Sequence, residues 1–343
     1  MFTAPVTCIT GPNGSGKTNL LDAIYYLCYT KSYFSASQQQ AVQIGTDGFR
    51  IVGEFEGEQR IETVSCKWKG GKKELFVDGL GFEKITDFIG KNAAVMIAPD
   101  DMALINEGSE GRRRWMDGIL GQTDRQYLDS LIVYQKILLQ RNAWLKMHAI
   151  KPQQDYSLLD YYTDQLSGLG TYIFQARNRF VQRFVPLLQQ YYAELCRSGE
   201  SIGLFYSTDL YDQPLERLLK SSLEHDLRLQ RTLKGIHKDD LDFSINGNAV
   251  KQFGSQGQKK SYLFALKLAQ FEYLTNVRGS SPILLLDDVF EKLDQQRMEA
   301  LLRIIQQPVF GQVVLTDTHR DRVEQAFGDE ADLAFITIGA SDS

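Results

Sequence analysis

Cysteine is scarce in this chain of 343 residues: Cys8, Cys28, Cys66 and Cys196 are the four present, and no two form a C-x-x-C pair. That spacing argues against a zinc site and against a disulfide framework, and it suits a reducing cytoplasm. No apolar run approaches the ~18 residues of a membrane helix. The opening stretch MFTAPVTCIT lacks the charged n-region of a signal peptide. Positive charge is not in excess either, with 38 Lys and Arg against 43 Asp and Glu for a net −5. A protein that coats nucleic acid through general charge is therefore disfavoured, and any DNA would have to be held by local basic patches. There is no internal repeat and no low-complexity tract. What is present is an ordinary globular balance, 43% apolar and 24% charged residues, sufficient to bury a core without cross-links.

The apolar pattern changes period along the chain. Val6–Thr10 is a short apolar run stopped by Gly-Pro-Asn-Gly, which predicts a buried strand running into a glycine loop. Leu20, Leu21, Ile24 and Leu27 then fall on one side of a helix over Thr18–Tyr29. From about 49 to 79 the pattern alternates, with Gly70-Gly71 between two strand-like runs marking a hairpin. Ala93–Ala98 is a further buried strand. Beyond Asp100 long helical periods take over, at Arg125–His148 and Tyr156–Arg197, parted by Pro-Gln-Gln-Asp at 152–155. A third helix is expected near Leu215–Leu233, and Pro186 should kink or interrupt the second. Strand character returns at Leu241–Ile245, Ile283–Leu286, Val313–Thr316 and Ala334–Ile338. The expected architecture is α/β: one lobe from residues 1–100 and 240–343, with a mainly helical lobe, 101–239, inserted into it.

Two motifs carry nucleotide chemistry. Gly11-Pro12-Asn13-Gly14-Ser15-Gly16-Lys17-Thr18 fits G-x-x-x-x-G-K-[ST] at every position, between a predicted strand and a predicted helix. Its glycines let several backbone N–H groups turn toward phosphate oxygens, and the helix N-terminus adds partial positive charge. Lys17 would reach the β and γ phosphates of ATP, and the Thr18 hydroxyl would ligate Mg²⁺. The second motif, Pro282-Ile-Leu-Leu-Leu-Asp287-Asp288, reads as a central parallel strand ending in two carboxylates. Asp287 would hold Mg²⁺ and Asp288 would polarise the attacking water. A strand ending in Asp-Asp could also be a helix N-cap with a spare charge.

Two further features point to the ABC-type ATPase class. Ser255-Gln256-Gly257-Gln258, ahead of a helix-like run, resembles the ABC signature: Ser255 can cap the helix, and the helix N-terminus can receive a γ-phosphate. Capped surface helix is the plainer alternative. His319, in Leu-Thr-Asp-Thr-His after a β-rich run, resembles the switch histidine that senses γ-phosphate, and Asp294 fits the loop that crosses a dimer interface. In that class the glycine loop of one subunit and the signature of another clasp one ATP, which implies a homodimer held by ATP and released on hydrolysis.

The resemblance narrows to the RecF family. Its carriers are Pro99-Asp-Asp followed by Arg112-Arg113-Arg114-Trp-Met-Asp117, then Gly235-Ile-His237-Lys238-Asp239-Asp240-Leu, then Ser255-Gln-Gly-Gln, Leu-Leu-Leu-Asp-Asp and Thr-Asp-Thr-His in order. The resemblance implies a weak ATPase that binds gapped DNA or single-strand/double-strand junctions and assists RecA loading alongside RecO and RecR. Ile236, Lys238 and Glu291-Lys292 depart from the usual residues, and Lys238 keeps the charge of an arginine without its fork geometry. Competing readings are an SMC-like chromosome head, which would need a far longer coiled coil, the ATPase subunit of a membrane transporter, and a small-molecule kinase, which would lack Ser255–Gln258.

Three basic groups are candidates for pairing DNA phosphates: Lys67, Lys69, Lys72 and Lys73 beside Trp68; Arg112–Arg114; and Arg177, Arg179 and Arg183. For any one group a solvated face is the leading reading, and the arginine triplet could instead organise the interface between the lobes. Finally, ten residues precede Gly11, where family members carry an additional strand with an Asn-Phe-Arg-type motif. Loss of that strand would bare a sheet edge. The expectation is that Met1 is an internal start, against the alternative of a lineage that shed the strand.

Overall fold

The computed structural model describes every residue except Met1, Thr3, Ala36, 58–59, 152–153, 197–198, Lys292, 329–331 and 340–343, and for Glu291 the backbone alone. Parts of the expected Pro-Gln-Gln-Asp break, Arg197, Met1 and Lys292 therefore lie outside the described residues.

In chain order, β1 (Val6–Thr10) leads through the glycine loop into α1 (Lys17–Tyr29). β2 (Gly48–Glu56), β3 (Ile61–Lys69), β4 (Lys72–Val77) and β5 (Leu80–Gly81) follow, then β6 (Ala94–Ile97). Four helices come next: α2 (Ala103–Asn106), α3 (Ser109–Thr123), α4 (Arg125–Ile150) and α5 (Ser157–Cys196). β7 (Ile202–Ser207), α6 (Leu215–Ser221), α7 (Leu223–Leu229), β8 (Asp240–Ile245), β9 (Asn248–Ala249) and α8 (Val250–Phe253) precede α9 (Gln256–Arg278). The chain closes with β10 (Ile283–Leu286), α10 (Gln295–Ile305), β11 (Val313–Asp317), α11 (Arg320–Phe327) and β12 (Leu333–Thr337).

Two compact units result. One comprises Met1–Asp101, Glu194–Cys196 and Lys260–Ser343; the other comprises Met102–Ala193 and Arg197–Lys259. The first holds a five-stranded parallel sheet in the order β12-β1-β11-β10-β6 and a separate antiparallel sheet β2-β3-β4-β5. Its core is made by Ile9, Leu21, Cys28, Met96, Leu285 and Val314, side chains of β1, α1, β6, β10 and β11. Burial on both faces is why these strands read as unbroken apolar runs rather than alternating ones. A buried ion pair also stands in this unit: Lys267 of α9 donates to Asp101 at 2.9 Å and to the Tyr33 hydroxyl at 2.8 Å. Asp101 in turn accepts the Ala98 N–H at 2.8 Å, so the Pro99-Asp-Asp segment caps the exit from β6.

The second unit is mainly helical with a three-stranded sheet, β7-β8-β9. Strand β8, which the sequence assigns to the nucleotide lobe, pairs with β7 here, and the first unit resumes at Lys260. α5 is not interrupted at Pro186. Proline in a helix interior costs ~3 kcal/mol, but Phe180, Phe184, Leu188, Tyr191 and Tyr192 on either side are all buried and hold the helix in register. The single helix expected near 215–233 is two short ones that break at Ser222. The bend carries fully buried Asp226 onto Arg141 at 2.7 Å, where it also accepts the Leu233 N–H at 3.0 Å.

Candidate nucleotide site

The glycine loop ends in a left-handed residue, Gly16 at φ +96°, which is the N-cap of α1 and carries no side-chain cap. The first N–H groups of that helix are thus presented without a side-chain acceptor, as an anion site requires. Lys17, 5% exposed, folds back over the loop and donates to the carbonyls of Gly11 at 2.8 Å and Pro12 at 3.0 Å. Ser15 N–H donates to Pro12 O at 3.2 Å and closes the turn containing Asn13 and Gly14.

Asp287 leaves β10 beside this loop. Thr18 Oγ1 donates to both its carboxylate oxygens, at 3.0 and 3.1 Å, across 269 residues of sequence. The backbone of Asp287 is fixed by its N–H to Ile97 O at 2.8 Å, a continuation of the β10–β6 ladder. A hydroxyl and a carboxylate converging on one point are the oxygen donors a hard, octahedral cation takes with its waters, so the residues present fit Mg²⁺. Asp288 follows at φ +47°, uncommon for a non-glycine residue, and its N–H donates to Thr316 Oγ1 at 3.0 Å. Thr316 also donates to Asp287 Oδ1 at 2.9 Å. It therefore fixes both carboxylate residues. The sequence reading passed over Thr316, although it stands in the same Thr-Asp-Thr-His run as His319.

His319 is exposed at the N-terminus of α11, with its N–H on Asp317 Oδ1 at 2.7 Å. Asp317 is almost fully buried and its other oxygen accepts from Arg322 at 2.6 Å. Asp294 caps α10 by accepting the Arg297 N–H at 3.0 Å, a structural task beside any role at an interface. Ser255 and Gln258 belong to the second unit and cap one another: Ser255 N–H donates to Gln258 Oε1 at 2.8 Å, and Gln258 N–H donates to Ser255 Oγ at 3.2 Å. This reciprocal box opens α9 in the way Ser-x-x-Gln predicts. Glu200, accepting from Gln258 Nε2 at 2.5 Å and from the Tyr192 hydroxyl at 2.7 Å, fixes the glutamine further. Gln256 is exposed and Gly257 half-buried.

The basic groups need correction. Arg112 is buried and grips Asp240 in a bidentate pair at 2.7 and 2.8 Å, while Arg113 donates to Asp239 O at 2.6 Å. Arg177 is fully buried between Asp117 and Asp239. Of those two groups, Arg114, Arg179 and Arg183 remain on the surface. Trp68 points inward, stacked on Phe49 at 6.3 Å, because it alternates with outward Lys67 and Lys69 along β3. Lys73 is drawn to the Thr30 carbonyl; Lys67 pairs with Glu74 at 3.2 Å and Lys69 with Asp47 at 3.0 Å. The Gly235–Asp240 motif is likewise internal. Burial lowers the His237 imidazole to about 4, so it is neutral at pH 7, bonded to Tyr134 Oη at 3.1 Å and Thr232 O at 3.1 Å.

The sequence pattern of the RecF/RecN/SMC N terminal domain family matches residues 1–335. The DNA replication and repair protein RecF of Flavobacterium johnsoniae is 43% identical over 324 residues, 94% of this chain and 90% of that protein. Its counterpart in Cytophaga hutchinsonii is 41% identical over 321 residues, 94% and 85% of the two chains. Among solved structures, the recombination mediator protein RecF-ATP of the RecFOR pathway superposes with a TM-score of 0.88 at 27% identity, covering 98% of this chain and 90% of that one. The Smc head domain of Pyrococcus furiosus, bound to the C-terminal domain of ScpA, matches with a TM-score of 0.57 at 15% identity over 99% and 89% of the chains. At that identity the likeness is one of fold. The fold class expected from the sequence, an ABC-type ATPase head with a large helical lobe, is the observed one. Among the described residues no helix is long and apolar enough to cross a membrane.

Proposed function

Because the chain belongs to the RecF/RecN/SMC N-terminal-domain family, and within it to RecF, we propose that it is an ATP-driven DNA clamp of recombinational repair in the cytoplasm. It binds ATP with Mg²⁺, pairs with a second copy, engages gapped or junction DNA, and assists RecA loading with RecO and RecR. The observation that carries the ATP reading is the Thr18–Asp287 contact, which joins the glycine loop to the end of β10. Loop N–H groups and Lys17 bind the phosphates. Thr18 and Asp287 would hold Mg²⁺, which would supply positive charge to the bound phosphates. Asp288 accepts the proton of the attacking water, and Thr316 keeps its backbone in place. Ser255–Gln258 of the second copy closes over the γ-phosphate with the amino end of α9, and His319 senses that phosphate. Hydrolysis removes what holds the two copies together. The Smc likeness, at 15% identity, gives no separate support to a chromosome-head role.

Asp288→Asn is expected to bind ATP within about threefold of the parent, since the phosphate ligands are untouched. Loss of the base should slow hydrolysis ~10²–10⁴-fold, so the variant accumulates as an ATP-bound dimer. Light scattering with and without ATP reads this directly, and a strictly monomeric variant counts against the clasp.

DNA affinity should be salt-sensitive and raised by ATP. About four phosphate contacts correspond to about a hundredfold loss between roughly 50 and 200 mM salt. Two copies presenting their surfaces together add an avidity gain. Anisotropy titrations on a gapped duplex that moved with neither salt nor ATP would remove the DNA-clamp reading.

A further inference from the structure

The last strand reaches the glycine loop from behind. β12 pairs in parallel with β1 along its whole length, from Val6 opposite Leu333 to Thr10 opposite Thr337. The ladder closes with the Ile338 N–H on Thr10 O at 2.8 Å. From there the chain turns under the loop. A Cβ placed on Gly11 would stand 2.3 Å from the Ile338 carbonyl oxygen and 2.9 Å from Ser15 Oγ, so no other residue fits. Gly339 adopts φ +80°, and a Cβ there would stand 3.1 Å from Ser15 Cβ and 3.9 Å from Pro12 Cδ. Ser15 is thus packed between Gly11 and Gly339, and its hydroxyl is buried with no hydrogen-bond partner among the described residues.

We propose that Ile338–Gly339 is a positioning element for the phosphate loop, a backbone brace that holds Gly11–Ser15 in its phosphate-accepting curve. This rests on the nucleotide reading above. The loop is closed by the Ser15 N–H bond to Pro12 O and by the Lys17 bonds to the Gly11 and Pro12 carbonyls, and Pro12 is its one apolar side chain. The brace supplies the missing wall by close backbone contact. Gly339 lies beyond the last ladder bond, so a substitution there leaves the sheet pairing of β12 complete. A role confined to stability would therefore appear in the melting temperature and not in nucleotide affinity.

The test is a double-mutant cycle between Gly339→Asn and Ser15→Gly. Asparagine tolerates a left-handed φ, so Gly339→Asn introduces chiefly the Cβ that meets Ser15. Equilibrium binding of fluorescent ATP and ADP should weaken about tenfold, the scale of a tight contact forced on a packed site. The nucleotide-free melting temperature should stay within ~3 °C of the parent's, the scale of a small surface perturbation. In the Ser15→Gly background, where the struck Cβ is gone, adding Gly339→Asn should cost less than about threefold. Parental affinity in Gly339→Asn, an equal loss in both backgrounds, or a lowered melting temperature at unchanged affinity would each overturn the brace. Failure of the parent chain to bind either nucleotide would instead overturn the nucleotide reading.

Discussion

Lys17→Ala is expected to lower ATP affinity by at least about a hundredfold, the scale of losing a charge-assisted bond to phosphate in a shielded site. Lys17 is 5% exposed and the two hydrogen bonds of its ammonium run to the carbonyls of Gly11 and Pro12, both neutral acceptors. Its full charge is therefore available to an anion entering the loop. A carboxylate partner would have compensated that charge and made the nucleotide compete for it. The same geometry predicts little damage to the fold. Removing a buried ammonium also removes its desolvation penalty, and of the two residues whose carbonyls it bonds, Pro12 is exposed to water. The melting temperature without nucleotide should change by no more than a few degrees, and stabilisation by added ATP should disappear. Isothermal titration and a thermal shift series measure both. A variant that binds ATP as the parent does would mean that the phosphates sit elsewhere.

Arg177→Met is expected to destabilise the helical unit by about 3–5 kcal/mol, the range for breaking a buried ion pair on one side. Arg177 is 1% exposed and donates to Asp117 at 2.9 and 3.1 Å, to Asp239 at 2.9 Å and to Ile236 O at 2.7 Å. Burial opposes the charge, yet Tyr127, Asp117, Tyr206 and Asp239 around it keep the guanidinium well above its ordinary pKa. Methionine fills much of the volume and leaves the carboxylates without their cation. Burial already raises the Asp239 pKa with Arg177 in place, and loss of the cation raises it further. A carboxyl whose folded pKa exceeds its unfolded value favours folding while protonated, and that contribution is lost as pH rises through the folded pKa. The deficit of the variant should accordingly be smaller near pH 5 than near pH 8. Urea titrations at the two pH values check it; an equal or larger deficit at the lower pH would show that buried charge is not the cause. In the parent, DNA affinity should not depend on Arg177 beyond its effect on folding.

The candidate nucleotide site was legible in the chain as a set of local elements. Gly11–Thr18 needs glycines, a lysine and a hydroxyl in consecutive order, and the structure places them as a strand–loop–helix unit. The Ile283–Leu286 run announces a strand covered on both faces, with Asp287 and Asp288 at its end. Ser255 and Gln258 are separated by the one interval at which a serine and a glutamine cap each other. Charged residues were the misread class. An arginine in sequence looks the same whether it faces water or a buried carboxylate, and Arg112 and Arg177 proved to be partners of Asp240, Asp117 and Asp239, each about sixty or more positions away. The motifs that carried the family resemblance around Arg112 and Gly235–Asp240 thus hold the helical unit together from inside.

The sequence by itself determined the elements whose signal fits within one turn or one strand: the loop, the parallel strands, the long helices and the helix caps. Tertiary structure alone decided which distant groups meet. Thr18 bonds Asp287 across 269 residues, Thr316 bonds the Asp287 carboxylate and the Asp288 N–H, Asp101 pairs with buried Lys267, and Ile338 closes on Gly11. The physical reason is that a hydrogen bond or ion pair is specified by position in space, and strand order sets that position. Local periodicity predicts that β1, β10, β11 and β12 exist; it does not encode that β1 lies between β12 and β11, and on that order the approach of Ile338 to Gly11 depends.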